Sequence, residues 1–281
     1  MFNTLEVQRQ LVARGLAVEK KHKTLPLSLF KYSRKVMYDY LWFQIPELME
    51  CRGHVYDTES SKLVVAAPRK SFNYLENGWW KDVPLDTFVR AEIKYNGYLA
   101  CSSVYRDQRI VTTTGSFDSD YVAFAEKQNA PAFTDWTACY EICDATFDPH
   151  IVDETDGSKL LGFRSLNNGW NFPSQTRQHN IMTLEYALEF VKSFKGEGLM
   201  LYKHGDNEGN TYVCKLKSPY YIGKKMLMRK KLHGAQNILP EMWNGMPGII
   251  RSCFLDDVWD NYDEQLRRKF IENNQHLIGI E

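Results

Sequence analysis

The chain has 281 residues, enough to bury one large core, and its composition, 43% hydrophobic and 25% charged, is that of a globular protein. Thirty-five basic residues balance thirty-five acidic ones, so a polyanionic partner must be held by a local cationic patch and not by a global field. No run approaches the roughly eighteen apolar residues of a membrane span, the N-terminus lacks a secretory apolar stretch, and the six cysteines lack zinc-site spacing. These features predict a reduced, cytoplasmic protein with no membrane partner.

In chain order, the first fifty residues read as mostly helical, with the aromatic and basic stretch LFKYSRKVMYDYLWFQ ending before Pro46. From about Cys51 to Lys217 short strands take over: GHVYD, KLVVAA, FVRAEIKY, YLACSSVY, RIVTTT, TACYEIC, KLLGF, GLMLYK and TYVCKLK. Between FVRAEIKY and YLACSSVY lies Asn96-Gly97, the dipeptide of a two-residue hairpin turn with positive φ at both positions. One helix stands out over Thr183 to Phe194, where Leu184, Ala187, Leu188, Val191 and Phe194 share a face behind a threonine cap. After Tyr221 the chain reads as helical again. The expectation is an α+β protein: residues 1–221 form one domain of antiparallel sheets with a helical N-terminal segment, and residues 222–281 a small helical C-terminal appendage. The five strands of an oligonucleotide-binding barrel are not found in that appendage.

Four strands carry charge where a core strand would carry none. Lys94 precedes the Asn96-Gly97 turn and shares a strand face with Arg90 and Glu92. Glu141 sits between Tyr140 and Ile142, Glu197 precedes Gly198 and an apolar strand, and Lys215 and Lys217 alternate with Cys214 and Leu216. Taken singly, the Lys215 and Lys217 pair is the solvated edge of an amphipathic strand, and each glutamate starts a strand near solvent.

Together, KYNG (Lys94 to Gly97), YEI (Glu141), EGLML (Glu197) and KLK (Lys215, Lys217) resemble the ordered motifs of the covalent nucleotidyltransferase superfamily of polynucleotide ligases and capping enzymes. Upstream, CRGHVYD and APRKSFNY resemble the T-even phage RNA ligase 1 family, as do KYSRKVMYDYLW and LLGFRSLNNG. The resemblance runs over roughly residues 30–221. It implies a nucleotidyltransferase (ATP-grasp-like) domain and an ATP-dependent RNA ligase. Such an enzyme joins 5′-phosphate to 3′-hydroxyl RNA ends through lysyl-AMP and adenylylated RNA, and a repair role on cleaved tRNA rests on family analogy. The expected setting is the cytoplasm, or the host-cell cytoplasm if the chain is phage-encoded, with the protein acting as a monomer.

The resemblance also implies roles. Lys94 is the nucleophile, acting with Glu197, Lys215 and Lys217; the nucleotide is held by Arg52, Lys70, Phe72, Glu92, Ile93, Gly97, Glu141, Lys215 and Lys217. Mg²⁺ or Mn²⁺ is ligated by Glu197 and Glu141, hard oxygen donors suited to such ions. Phe72 or Tyr140 stacks on the base, and Glu92 reads the adenine amine. The residue types match the chemistry. A lysine amine, normally near pKa ~10.4, must lose its proton to attack the α-phosphorus, and neighbouring positive charge favours that loss while neutralising the phosphates. Two departures stand out. Asn96 replaces the usual Asp, and Thr114 precedes Gly115 where some relatives carry a lysine, so one phosphate contact is weaker or supplied elsewhere.

The alternatives are a DNA ligase, a GTP-dependent capping-type enzyme, or a non-catalytic nucleotide- or RNA-binding relative. The basic stretch GKKMLMRKKLH, following Lys217, reads either as a solvated helix face or as a contact to the RNA backbone.

Overall fold

The computed structural model describes residues 3–128, 131–152, 154–167, 171–173, 179–203, 213–222, 225 and 269. Apart from residues 222, 225 and 269, the predicted C-terminal appendage lies outside them. The fold is α+β and built on three sheets. The first is four-stranded, in the order β1 (Ala17–Lys21), β2 (Leu27–Tyr32), β3 (Arg52–Asp57), β4 (Leu63–Val65). Helix α1 (Leu5–Ala13), capped by the Thr4 side chain accepting from the Val7 N–H, covers one face of this sheet through Leu5, Leu11, Phe30 and Tyr56.

The opposite face, with Leu27, Leu29 and Val55, packs on a second sheet. Its order is β11 (Asn171–Pro173), β10 (Gly157–Ser165), β9 (Trp136–Cys143), β7 (Tyr98–Tyr105), β8 (Gln108–Thr113). Cys101, Ile110 and Cys139 face the first sheet, while Ala100, Ala138, Tyr140 and Ile142 pack with helix α3 (Asp120–Lys127) on the other side. The third sheet runs β12 (His179–Thr183), β6 (Phe88–Lys94), β13 (Gly198–Lys203), β14 (Cys214–Lys217), β5 (Phe72–Asn73), antiparallel except for the β14–β5 pair. Val89, Ala91, Leu199 and Leu201 bury one face of it under helix α4 (Leu184–Ser193), whose Thr183 cap accepts from the Tyr186 N–H at 3.2 Å. The five described cysteines are buried free thiols, and no described helix is long and apolar enough to cross a membrane.

All nine strands expected from the sequence are present, and two expectations are corrected. The N-terminal fifty residues are not mostly helical: besides α1 the one α-helix is the short α2 (Arg34–Tyr38), and β1 and β2 form a hairpin. Strand β2 is sandwiched between α1 and the second sheet, so Leu27, Ser28, Leu29 and Phe30 are all buried and the period-two alternation that marks a half-exposed strand is missing.

Lys94 to Tyr98 is not a hairpin turn either. Strand β6 pairs with β12 and β13, β7 pairs with β8 and β9, and neither Asn96 nor Gly97 has positive φ. The segment carries the chain from the third sheet to the second. Gly97 is needed for close approach instead, because a Cβ there would lie 2.2 Å from the Ile142 carbonyl oxygen.

Candidate active site

The crossing segment between these sheets forms one side of a cleft of about 420 Å³. Along β6 the apolar residues Val89 and Ala91 face α4, which turns Arg90, Glu92 and Lys94 to the other side. Register then aligns the charges. Lys94 and Lys217 flank Gly198 across β13, and Glu92 and Lys215 flank Met200 one pleat further on. Glu197, at the entrance to β13, is buried, with Oε2 2.7 Å from Lys94 Nζ and Oε1 3.5 Å from Lys217 Nζ. A carboxylate thus bridges the two lysines for which the resemblance implies nucleophile and phosphate roles.

The second sheet supplies the facing wall. Cys139 and Glu141 of β9 and Leu161, Gly162, Phe163 and Arg164 of β10 line the cleft. Glu141 accepts from the Gly97 N–H at 3.2 Å, and burial pushes its pKa up to about 7 despite the nearby Lys94. The buried Asn96 orients its amide so that Oδ1 accepts from the Ile151 and Val152 N–H groups, at 2.9 and 3.1 Å. Its own N–H donates to Glu154 Oε1 at 3.0 Å. The side-chain oxygen keeps the loop after β9 in place without a negative charge, while Glu154 brings a carboxylate to the same turn.

The remaining cleft wall is cationic. Arg52, Lys70, Lys215 and Lys217 all line it. Burial, followed by the charges of Lys70, Arg52 and Lys217, lowers the Lys215 pKa to about 7. Burial likewise lowers Lys70 to about 8, with Glu76 opposing and Arg52 and Lys217 reinforcing the shift. Like charges held this close disfavour one another, and a polyphosphate bound among them would relieve that cost.

Of the residues predicted for the site, the structure brings Lys94, Glu141, Glu197, Lys215, Lys217, Arg52, Lys70 and Gly97 into one cleft lining. It does not bring the others. Phe72 is fully buried, its ring stacked on Phe43 at 5.0 Å with Lys70 Nζ 4.3 Å above it. Tyr140 points to the α3 side, where its hydroxyl donates to the Pro131 carbonyl. The Ile93 side chain packs toward α4, and Glu92 is buried behind the lining with Arg90 Nε at 3.3 Å. Of the basic stretch after Lys217, only Lys225 is among the described residues, 5.5 Å from the centre of the Tyr221 ring.

Sequence reasoning missed Trp79, Tyr95, Phe163 and Tyr202, the aromatic residues that do line the cleft, and the charged cluster at its floor. There Arg164 Nη2 donates to both oxygens of Glu50, at 3.1 and 2.9 Å, and Arg69 Nε lies 2.6 Å from Glu50 Oε1. Phe163 follows Gly162, where the β9–β10 register shifts, and a bulge that re-aims a side chain leaves no periodic signal.

The donor set bears on the metal expected from the sequence. Among the described residues there is no group of three or more His, Cys, Asp or Glu that could hold an ion. Glu197 and Glu141 are two carboxylates flanking Lys94, which fits an ion that keeps several waters and takes its other ligands from substrate phosphates.

No family profile matches the chain, and no curated protein matches it in sequence. Solved structures do match. Forms 1 and 2 of an archaeal ATP-dependent RNA ligase superpose with TM-scores of 0.55 and 0.53 at 13% and 12% identity, covering 97% and 98% of this chain and 76% and 75% of theirs. A putative ATP-dependent DNA ligase from Aquifex aeolicus gives 0.51 at 14% identity, covering 98% of this chain and 75% of its own. At such identities the shared property is the fold. It is the α+β architecture of ATP-dependent ligases, and this chain has it.

Proposed function

We propose that the protein is an ATP-dependent RNA ligase of the T-even phage RNA ligase 1 type, working through a covalent lysyl-AMP. The observation that carries this reading is the Lys94–Glu197–Lys217 bridge across three neighbouring strands, with Glu141, Arg52, Lys70 and Lys215 lining the same cleft. Residues 1–221 would be the catalytic unit and 222–281 a helical appendage, an assignment that rests on the sequence.

The chemistry follows from these groups. Glu197 Oε2 is the acceptor within reach of the Lys94 ammonium proton. The freed amine attacks the α-phosphorus of ATP; the P–N bond forms as the bond to the β-phosphate oxygen breaks, and pyrophosphate leaves with the electron pair. Lys215, Lys217, Lys70 and Arg52 neutralise the charge developing on the phosphates. Mg²⁺ or Mn²⁺, held by Glu197 and Glu141 with phosphate oxygens, would add Lewis-acid stabilisation of that charge. Trp79 and Phe163 offer apolar faces for the base. The RNA 5′-phosphate then displaces Lys94 from the adenylate, and a 3′-hydroxyl attacks the activated 5′-phosphorus with release of AMP.

Incubation with ATP or GTP labelled at the α-phosphate tests this directly. The expected outcome is label on the protein from ATP alone, lost in Lys94→Ala and also in Lys94→Arg, whose guanidinium stays protonated. Sealing should occur with 5′-phosphorylated RNA and not with matched DNA. Label retained by Lys94→Ala would overturn the nucleophile, and DNA sealing at equal rate would favour the DNA-ligase alternative.

A further inference from the structure

Thr114 leaves open where the cation near Gly115 comes from, and the first sheet answers. Lys31 on β2 and Arg52 on β3 are direct cross-strand partners, beside a register shift between Phe30 and Lys31. Like charges opposed in this way destabilise a sheet, so the pairing is costly unless an anion joins it. The loop after β8 closes over them. A Cβ on Gly53 would come within 2.7 Å of Thr114 Cα, and one on Gly115 within 3.1 Å of Lys31 Nζ. Lys31 therefore extends under the loop as far as Gly115.

The local charges leave the pair positive. The groups acting on Lys31 are Arg52 and Lys20, both cations, which add to burial in lowering its pKa. Asp118, on the loop after β8, is paired with Lys23 at 2.7 Å. Arg52 lines the cleft and Lys31 does not, so the pair extends the cationic wall outward from the Lys94 site.

We propose that Lys31 and Arg52 together hold the 5′-terminal phosphate of the incoming RNA strand beside the cleft, making Lys31 a binding residue of the sealing steps and not of self-adenylylation. This rests on the ligase function proposed above. Two adjacent cations match a terminal monophosphate, which carries about two negative charges at neutral pH, better than an internal phosphodiester with one. The lysine comes from the strand paired with β3 instead of from the loop.

The test compares binding of one short RNA in 5′-phosphorylated and 5′-hydroxyl forms to wild type, Lys31→Gln and Lys31→Arg, by fluorescence anisotropy over a salt series. Wild type should prefer the phosphorylated strand by about tenfold, or about 1.4 kcal/mol. Lys31→Gln, which keeps a polar stem for packing, should lose the preference and lower the salt slope by about one, while Lys31→Arg keeps both. The KM for ATP in self-labelling should stay unchanged in Lys31→Gln. A retained preference overturns the assignment, as does equal weakening toward both RNAs or a matching rise in the KM for ATP. If wild type never labels itself with ATP and the preference still depends on Lys31, the phosphate site stands and the ligase function falls.

Discussion

Two buried carboxylates in the cleft region are each held by two cations, and they behave differently. Glu50 is 5% exposed and is gripped by Arg164 through both oxygens and by Arg69. Glu197 is 4% exposed and is bridged by Lys94 and Lys217, side chains that are themselves partly open to the cleft. Burial alone would raise the Glu50 pKa, but Arg164, His54 and Arg69 hold it below its ordinary value, so that site is a fixed ion pair. A guanidinium cannot give up its proton in this setting, whereas a lysine amine can, and a planar fork fixes geometry that a flexible amine leaves free. Arginines lock the floor of the cleft, and lysines leave Glu197 able to exchange partners.

Removing one cation from each site should give the largest contrast. Arg164→Met leaves the buried Glu50 with Arg69 at one oxygen and strips the guanidinium from the other, and should cost about 3–5 kcal/mol of folding stability. Lys94→Met leaves Glu197 with Lys217 at a cleft that admits water, and should cost about 1 kcal/mol or less. Urea denaturation of both variants checks this, and equal losses would erase the distinction between the two sites.

A smaller effect comes through His54, which lies beneath Glu50 with Nε2 3.4 Å from Oε2. Burial pushes its pKa down from 6.5 to about 4, with Glu50 opposing and Arg164 reinforcing the shift. Between those values the unfolded chain takes up a proton and the native protein does not, so stability falls as pH falls through this window. Between about pH 6.5 and about pH 5 the loss should be about 2 kcal/mol, and His54→Asn should flatten it. Denaturation midpoints across this range provide the measurement; an unchanged slope in the variant would assign the pH response to other groups.

The smallest expected effect sharpens the lysine side of the comparison. Lys215 has its pKa lowered to about 7, so above neutrality it is increasingly uncharged in the free protein. A bound triphosphate favours its protonated form, so ATP affinity should weaken by up to about tenfold per pH unit as pH rises from about 7.5 to about 8.5. Lys215→Arg should bind ATP with a flatter pH profile, because its charge does not titrate there. Calorimetry in two buffers of different ionisation enthalpy would also detect the proton taken up on binding. Equal profiles in wild type and variant would remove Lys215 from the phosphate site.

Much of the candidate site was legible because charge in an apolar strand is conspicuous one residue at a time. Lys94, Glu141, Lys215 and Lys217 each sit in a strand and Glu197 leads into one, and their resemblance to the ordered nucleotidyltransferase motifs is what groups them. The Glu50–Arg164 floor was not legible, since its members come from a turn before β3 and from β10, over a hundred residues apart. Phe72 illustrates the reverse error. Its sequence neighbourhood points to a ligand contact, but Phe43, Trp42 and Trp79 close around the ring, and the aromatic residues at the cleft are Trp79, Tyr95, Phe163 and Tyr202.

By itself the sequence determined part of the local conformation and the chemical inventory: nine strands after Cys51 from their apolar runs, α4 from its 3.6-residue face and threonine cap, and a set of lysines and glutamates fit for phosphate chemistry. The tertiary structure alone decided which strands became neighbours. Asn96-Gly97 carries every local sign of a hairpin, yet the strands on either side of it belong to different sheets. Turn propensity is worth little beside the burial available when β6 pairs with β13 and covers α4 while β7 pairs with β9 and packs on the first sheet. That long-range choice opens the cleft at the crossing point, with Lys94 on one wall and Glu141 on the other.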